Sequence, residues 1–246
     1  MPPESRRVTV VSGASSGIGA AVARLALDAG GVVLGLSRRG NPQLAERADY
    51  HDLLADLRDP ADVRKALASA APVTGGRAHA VVLNAGVSPG PCELAELPWE
   101  TVADVYETNV RTALNLVRET VPLLRTAGGG SLVFVGASLA NGYTPERWAY
   151  AASKAAMTAL MRACSTAYAA DGIVANEVRP GPVATAMTLG AASAEVSEDV
   201  LRVINQGYRT DWLKPPRQVA EWIADLAGFP ANGPTGQVFN YSRKSL

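Results

Sequence analysis

The sequence predicts one α/β domain with a doubly wound parallel sheet, and three observations carry that expectation. Short runs of continuous apolar, often β-branched residues alternate along the chain with longer stretches of helical period. Strands that are apolar on both faces belong in a parallel sheet covered by helices on both sides. A glycine-rich turn directly follows the first of these runs, where a nucleotide-binding α/β unit carries its phosphate loop. The 246 residues include 48% hydrophobic side chains with no repeat, low-complexity tract or linker, so residues 1–246 read as a single domain around one sizeable core. The expected class is therefore a Rossmann-type fold.

Residues 8–11 form the first strand, ending at the glycine turn. Residues 20–29 read as a helix and 32–36 as a second buried strand. A third strand precedes Asp56 and Leu57. Residues 58–71 are helical in pattern, with Asp59 before Pro60 as cap and first turn. A strand over 80–83 leads to a long helix over 99–124. After the Gly128-Gly129-Gly130 turn come a strand over 131–135 and a second long helix over 150–170. Strands over 174–178 and 237–240 complete the sheet. The alternation breaks only over residues 185–216, which are rich in Ala, Ser and Thr. This stretch follows a strand on the side where α/β folds bind ligands, so it is expected to form a substrate lid, with Met187, Leu189, Tyr208 and Trp212 suiting a mostly apolar organic molecule.

Charge and composition exclude several classes. Lys plus Arg and Asp plus Glu are both 23, for a formal net charge of zero, which offers no basic surface for nucleic acid and no polybasic membrane anchor. No apolar run approaches the roughly 18 residues of a membrane helix, and residues 1–7 are polar with two prolines, so a cytoplasmic location is expected. Cys92 and Cys164 stand far apart without a CxxC pair and read as free thiols in a reducing compartment. His51 and His79 are the only histidines, too few for a histidine-rich metal site, and no metal is expected.

Two motifs carry chemistry. In Ser12-Gly13-Ala14-Ser15-Ser16-Gly17-Ile18-Gly19 the glycines let the backbone turn sharply and bring helix N-terminal amides up to a pyrophosphate. The same spacing also describes an ordinary glycine turn. Gly13 to Gly17 further fits the GxSxG elbow of serine hydrolases, but both histidines fall in the first third of the chain and the elbow would sit on the wrong strand. The second motif is Tyr150-Ala151-Ala152-Ser153-Lys154. A spacing of four puts Tyr150 and Lys154 on one helix face, where an ammonium would lower the phenol pKa toward working pH for acid–base chemistry. Such a pair also occurs on solvated helices.

Together these motifs resemble the short-chain dehydrogenase/reductase family, in its short single-domain branch typified by 3-oxoacyl-carrier-protein reductases, over nearly the whole chain. The resemblance implies that Gly13, Ser15, Ser16, Gly17, Ile18 and Gly19 bind the cofactor. Leu83-Asn84-Ala85-Gly86 matches the family's Asn-Asn-Ala-Gly segment with Leu83 replacing the first Asn, which implies Asn84, Ala85 and Gly86 beside the cofactor. Asn109, Ser138, Tyr150 and Lys154 match the catalytic tetrad, with Tyr150 and Lys154 also touching the cofactor. Arg179-Pro180-Gly181-Pro182-Val183-Ala184-Thr185 matches the segment flanking the nicotinamide, implying Pro180, Gly181, Val183 and Thr185. Two departures stand out. The Ser138 to Tyr150 interval is one residue short, so its loop, with Tyr143, Arg147 and Trp148, differs and edges either the substrate pocket or the surface. The C-terminal Phe239-Asn240-Tyr241-Ser242-Arg243 lacks the usual Asp-Gly-Gly.

In the resemblance, the end of the second strand selects the cofactor, an acid there favouring NAD(H). Here Ser37, Arg38 and Arg39 occupy it, and a hydroxyl with guanidinium forks suits a 2′-phosphate, hence NADP(H). Asp56 and Leu57 match the pair that holds adenine, although Asp56 equally suits a helix cap. The implied activity is interconversion of a ketone and a secondary alcohol, in the reducing direction. Tyr150 would act as proton donor, Ser138 hydrogen-bond the carbonyl oxygen, Lys154 lower the phenol pKa, and Asn109 support a proton-relaying water. A catalytically idle NADP(H)-binding protein is the alternative from another class. The implied partners are a small carbonyl or alcohol substrate and further copies of the chain, as a homotetramer or dimer through the two long helices.

Overall fold

A computed structural model describes residues 6–141, 145–190, 201 and 213–242. In chain order the elements are β1 (Val8–Ser12), α1 (Gly17–Asp28), β2 (Val32–Ser37), α2 (Pro42–Ala45), β3 (Tyr50–Leu54), α3 (Pro60–Ser69), α4 (Ala71–Thr74) and β4 (Ala80–Leu83). There follow α5 (Trp99–Tyr106), a π-helical turn (Glu107–Arg111), α6 (Thr112–Thr126), β5 (Gly130–Val135), α7 (Trp148–Ala167), β6 (Ile173–Arg179), α8 (Ala186–Leu189), α9 (Pro216–Ala227) and β7 (Val238–Asn240).

The seven strands form one parallel sheet in the order β3-β2-β1-β4-β5-β6-β7. The chain first winds outward from β1 to β3, then crosses back to β4 on the other flank of β1. The strand order reverses between β1 and β4, and a crevice opens beyond their carboxyl ends. Ser12, the last residue of β1, fastens the two lips. Its hydroxyl donates to the Val82 carbonyl at 3.2 Å and accepts the Asn84 and Ala85 amides at 2.9 and 3.0 Å.

Both sheet faces are buried, as continuous apolar strands require. On one side Leu34, Leu36, Val81, Leu83, Leu132 and Phe134 pack under α3, α6 and α7, with Leu116, Leu124, Met157 and Met161 at the contact. On the other, Val11, Val33, Val82, Val133 and Val178 meet Val22 and Leu27 of α1 and Val219 and Ile223 of α9. Each such fully buried side chain contributes about 1.5–3 kcal/mol.

The elements depart from the sequence expectation in several places. The helix expected over 99–124 is interrupted by the π-helical turn, whose extra residue carries Asn109 inward to complete burial. The helix expected over 58–71 runs from Pro60 to Ser69, because the Asp59 carboxylate accepts the Ala61 amide at 2.9 Å and fixes the start. The expected lid lies largely outside the described residues, which include neither 191–200 nor 202–212. Its expected end at 216 is corrected: Leu213 and Lys214 are buried, Lys214 bridges Val183, and α9 starts at Pro216, so residues 213–216 are framework. Among the described residues no helix is long and apolar enough to cross a membrane.

Candidate active site

The carboxyl ends of β1, β2, β4, β5 and β6 border a cleft of about 390 Å³. The loop after β1 lines one wall with Gly13, Ser15, Ser16, Gly17 and Ile18. Gly13 and Gly17 have φ of 69° and 58°, left-handed values that favour glycine. Gly19 does not line the cleft, and its role is close packing. A Cβ there would lie 2.3 Å from the Gly13 carbonyl oxygen and 2.7 Å from Asn84 Nδ2. Ser16 caps α1 without a side-chain hydrogen bond to the helix, which leaves the first-turn amides directed at the cleft with no capping acceptor. A glycine-rich cradle at a helix N-terminus fits a pyrophosphate.

Beyond β2 the cleft is lined by Ser37, Arg38 and Arg39, and beyond β3 by Asp56 and Leu57. Ser37 is buried and its hydroxyl donates to the Arg39 carbonyl, so it shapes the turn that carries the two exposed arginines. Asp56 is not free. Arg58 grips both its oxygens at 3.0–3.2 Å and reaches Asp104 at 3.4 Å. These contacts hold the Asp56 carboxyl below its usual range.

The far end of the cleft gathers the remaining residues. Asn84, Ala85 and Gly86 line it from β4, Pro180, Gly181, Val183 and Thr185 from beyond β6, and Tyr150 and Lys154 from α7. Thr185 packs on the glycine loop, since a Cβ on Gly17 would meet its methyl at 3.2 Å. Neither Asn109 nor Ser138 is among the residues lining the cleft. Asn109 lies behind it, with Oδ1 accepting the Val87 amide at 2.7 Å and Nδ2 donating to Val87 O and Ser153 Oγ, both at 2.9 Å. Ser138 opens a 3₁₀ turn (Ser138–Asn141) after β5, which packs against α7.

Lys154 is buried, and its Nζ donates to the Val135 carbonyl at 2.8 Å while lying 5.8 Å from the Tyr150 ring centre. Burial pushes the Tyr150 phenol up to about 12, opposed by Arg147, and pushes Lys154 down to about 8, opposed by Glu177. The expected depression of the phenol pKa by Lys154 is thus not found. The ammonium is turned to a carbonyl of β5, and desolvation governs both groups. A phenol in this state is protonated at working pH and able to donate.

Several cleft residues escaped the sequence reading: Arg58, Val87, Thr108, Thr112 and Gly136. Arg58 falls within the helix expected over 58–71, and its position directly after Asp56 and Leu57 is the one signal in the sequence that it belongs to the site. Arg147 donates to Ser88 Oγ at 3.1 Å. Of the expected pocket residues, Met187 lines the cleft and is half exposed, while Tyr143, Tyr208 and Trp212 lie outside the described residues.

Residues 7–195 match the family model for short chain dehydrogenases. A cis-4-hydroxycyclohexanecarboxylate dehydrogenase of Sinomonas cyclohexanicum is 32% identical over 243 residues, covering 95% of this chain and 94% of its relative. The short chain dehydrogenase ausX of Penicillium brasilianum is 30% identical over 216 residues, 84% of this chain and 82% of its own length. A solved structure of a candidate NAD(P)-dependent gluconate 5-dehydrogenase from Beutenbergia cavernae, holding NADP at low occupancy, superposes with a TM-score of 0.80 at 27% identity, covering 99% and 98% of the two chains.

Proposed function

This chain belongs to the short-chain dehydrogenase family, and from that premise we propose that it is an NADP(H)-dependent oxidoreductase reducing a small ketone to a secondary alcohol. The observation that carries the reading is the convergence of Tyr150 and Lys154 with the glycine loop on one cleft. When bound, the nicotinamide cofactor supplies the hydride. Tyr150 donates its phenolic proton to the alkoxide as it forms, and general acid catalysis of this kind contributes roughly 10²- to 10⁴-fold. Ser138 hydrogen-bonds the same oxygen from the turn after β5. Lys154 offers a cation beside the phenol, and Asn109 fixes the Val87 loop on the cleft wall through its amide. Met187, beside Thr185 on the cleft wall, offers the substrate an apolar contact.

Preference for the phosphorylated cofactor is assigned to Arg38, with Arg39 beside it on the same wall; no acid stands at the end of β2 to repel the phosphate. A charge-assisted contact contributes about 1.5–3 kcal/mol, roughly one to two decades in affinity. Arg38→Ala should therefore lower kcat/KM with NADPH by about that factor and leave NADH nearly unchanged. Preference of the unmodified protein for NADH would overturn the assignment. Two relatives bear the names of dehydrogenases acting on hydroxy acids, which supports a free small molecule over an acyl-carrier-bound substrate. The chain is further proposed to work in the cytoplasm as a homotetramer or dimer. Sedimentation at micromolar concentration tests the assembly, and a monomer would contradict it.

A further inference from the structure

One buried acid has no part in that chemistry. Glu177 of β6 is wholly inaccessible. Residues two apart on a strand share a face, and Ala175 of β6 packs with Met157 and Met161 of α7. Glu177 and Arg179 therefore both turn toward the helix that carries Tyr150 and Lys154. Glu177 Oε1 accepts Arg179 Nε at 2.7 Å, and Arg179 Nη2 donates to Thr158 Oγ1 at 3.0 Å. Thr158 follows Lys154 by one helical turn and donates to its carbonyl at 3.3 Å. The second carboxylate oxygen, Oε2, is buried with no hydrogen-bond partner.

The backbone of β5 locates this acid against the lysine. A Cβ on Gly136 would fall 2.0 Å from Glu177 Oε1, so the carboxylate lies across Gly136. The preceding residue, Val135, holds the Lys154 ammonium on its carbonyl. Acid and lysine thus flank two consecutive residues at the floor of the cleft. Among the described residues, Tyr150 on α7 has its ring centre 5.8 Å from the Lys154 ammonium, Arg147 acts on Tyr150, and Arg179 on β6 pairs with Glu177. From β5 the lysine meets the Val135 carbonyl, and from the β4 loop it meets Gly86.

A buried ion pair seldom stabilises more than an apolar pair of the same volume, so stability gives little reason for one here. We propose that Glu177, braced by Arg179 and Thr158, is a positioning residue that keeps Lys154 an ammonium, so that Tyr150 always faces a cation. The proposal rests on the reading of Tyr150 and Lys154 as the acid–base pair. Burial alone carries Lys154 toward neutrality, and Glu177 is the group that opposes it.

Lysine ε-carbon NMR of the full chain tests this directly, because its four lysines, Lys65, Lys154, Lys214 and Lys244, are assigned by single replacement. Glu177→Gln keeps the shape and removes the charge; it should lower the Lys154 midpoint by about one pH unit, roughly a tenfold loss of charged lysine above it. Glu177→Asp should restore most of the shift. The alkaline limb of kcat/KM should move the same way. Should Glu177→Gln fail to fold, the double variant Glu177→Met with Arg179→Met removes the pair without leaving a lone charge, and should also lower the midpoint. An unchanged midpoint in the folded variant overturns the proposal. The midpoint is read without turnover, so this outcome is independent of whether Tyr150 proves to be the proton donor.

Discussion

Replacing Asn109 with leucine should damage the cleft through its backbone. The side chain is wholly buried, and three hydrogen bonds occupy its amide: one from the Val87 amide, one to the Val87 carbonyl and one to Ser153 Oγ. Leucine fills a similar volume and makes none of them. The Val87 N–H and C=O lose their partners, and each such buried group costs about 1–3 kcal/mol. Val87 is only partly buried, so water recovers some of this and a loss of about 3 kcal/mol is expected. At roughly 2–4 °C per kcal/mol for a domain of this size, Tm should fall by about 6–12 °C. Thr120→Val is the control. Its hydroxyl is equally buried but only back-bonds to Leu116 O within α6, and its loss should cost less than about 1 kcal/mol. Urea and thermal unfolding of both variants measure the difference. Equal stability of the two would refute the assignment of Asn109 as the clamp on the Val87 loop.

Gly19→Ala should abolish NADPH binding, read as cofactor fluorescence, because its Cβ would lie 2.3 Å from the Gly13 carbonyl oxygen and the loop must move; a dissociation constant within about twofold of the unmodified protein would contradict a packing role for Gly19. His79 should make stability acid-sensitive. Its Nδ1 accepts the Val8 amide at 3.0 Å, and burial, with Arg7 and Arg77 nearby, holds its pKa below the ordinary 6.5. The unfolded chain therefore binds a proton that the folded one refuses, and stability present above pH 6.5 is lost as pH falls below it. Urea midpoints should drop between neutral pH and mild acid in the unmodified protein and drop less in His79→Gln.

The sheet was legible because its strands are buried on both faces: Val8 to Val11 reads as a β-branched run with Thr9 as its one hydroxyl, and Ala80 to Leu83 as an unbroken apolar run. β3 was harder to bound, since it is an edge strand in which His51 and Asp52 break the pattern. α9 was overlooked although Val219, Ile223 and Leu226 mark a buried helical stripe; its Pro215-Pro216 start was absorbed into the expected lid. In the site, short motifs brought Gly13, Asn84, Tyr150 and Lys154 to one cleft. Pairing across distance was not legible. The spacing of Tyr150 and Lys154 reveals a shared helix face, but not that the Val135 carbonyl takes the ammonium. Likewise nothing in the sequence around Glu177, inside an apolar strand, announces that its carboxylate lies across Gly136.

Tyr150→Phe tests the central claim most directly. The phenol lies on the cleft that holds the glycine loop, and phenylalanine keeps the ring while removing only the hydroxyl. The variant should bind NADPH as the unmodified protein does, by fluorescence titration, and its ketone-dependent NADPH oxidation should fall by roughly 10²- to 10⁴-fold. Retention of most of the ketone reductase activity with cofactor binding intact would contradict the account.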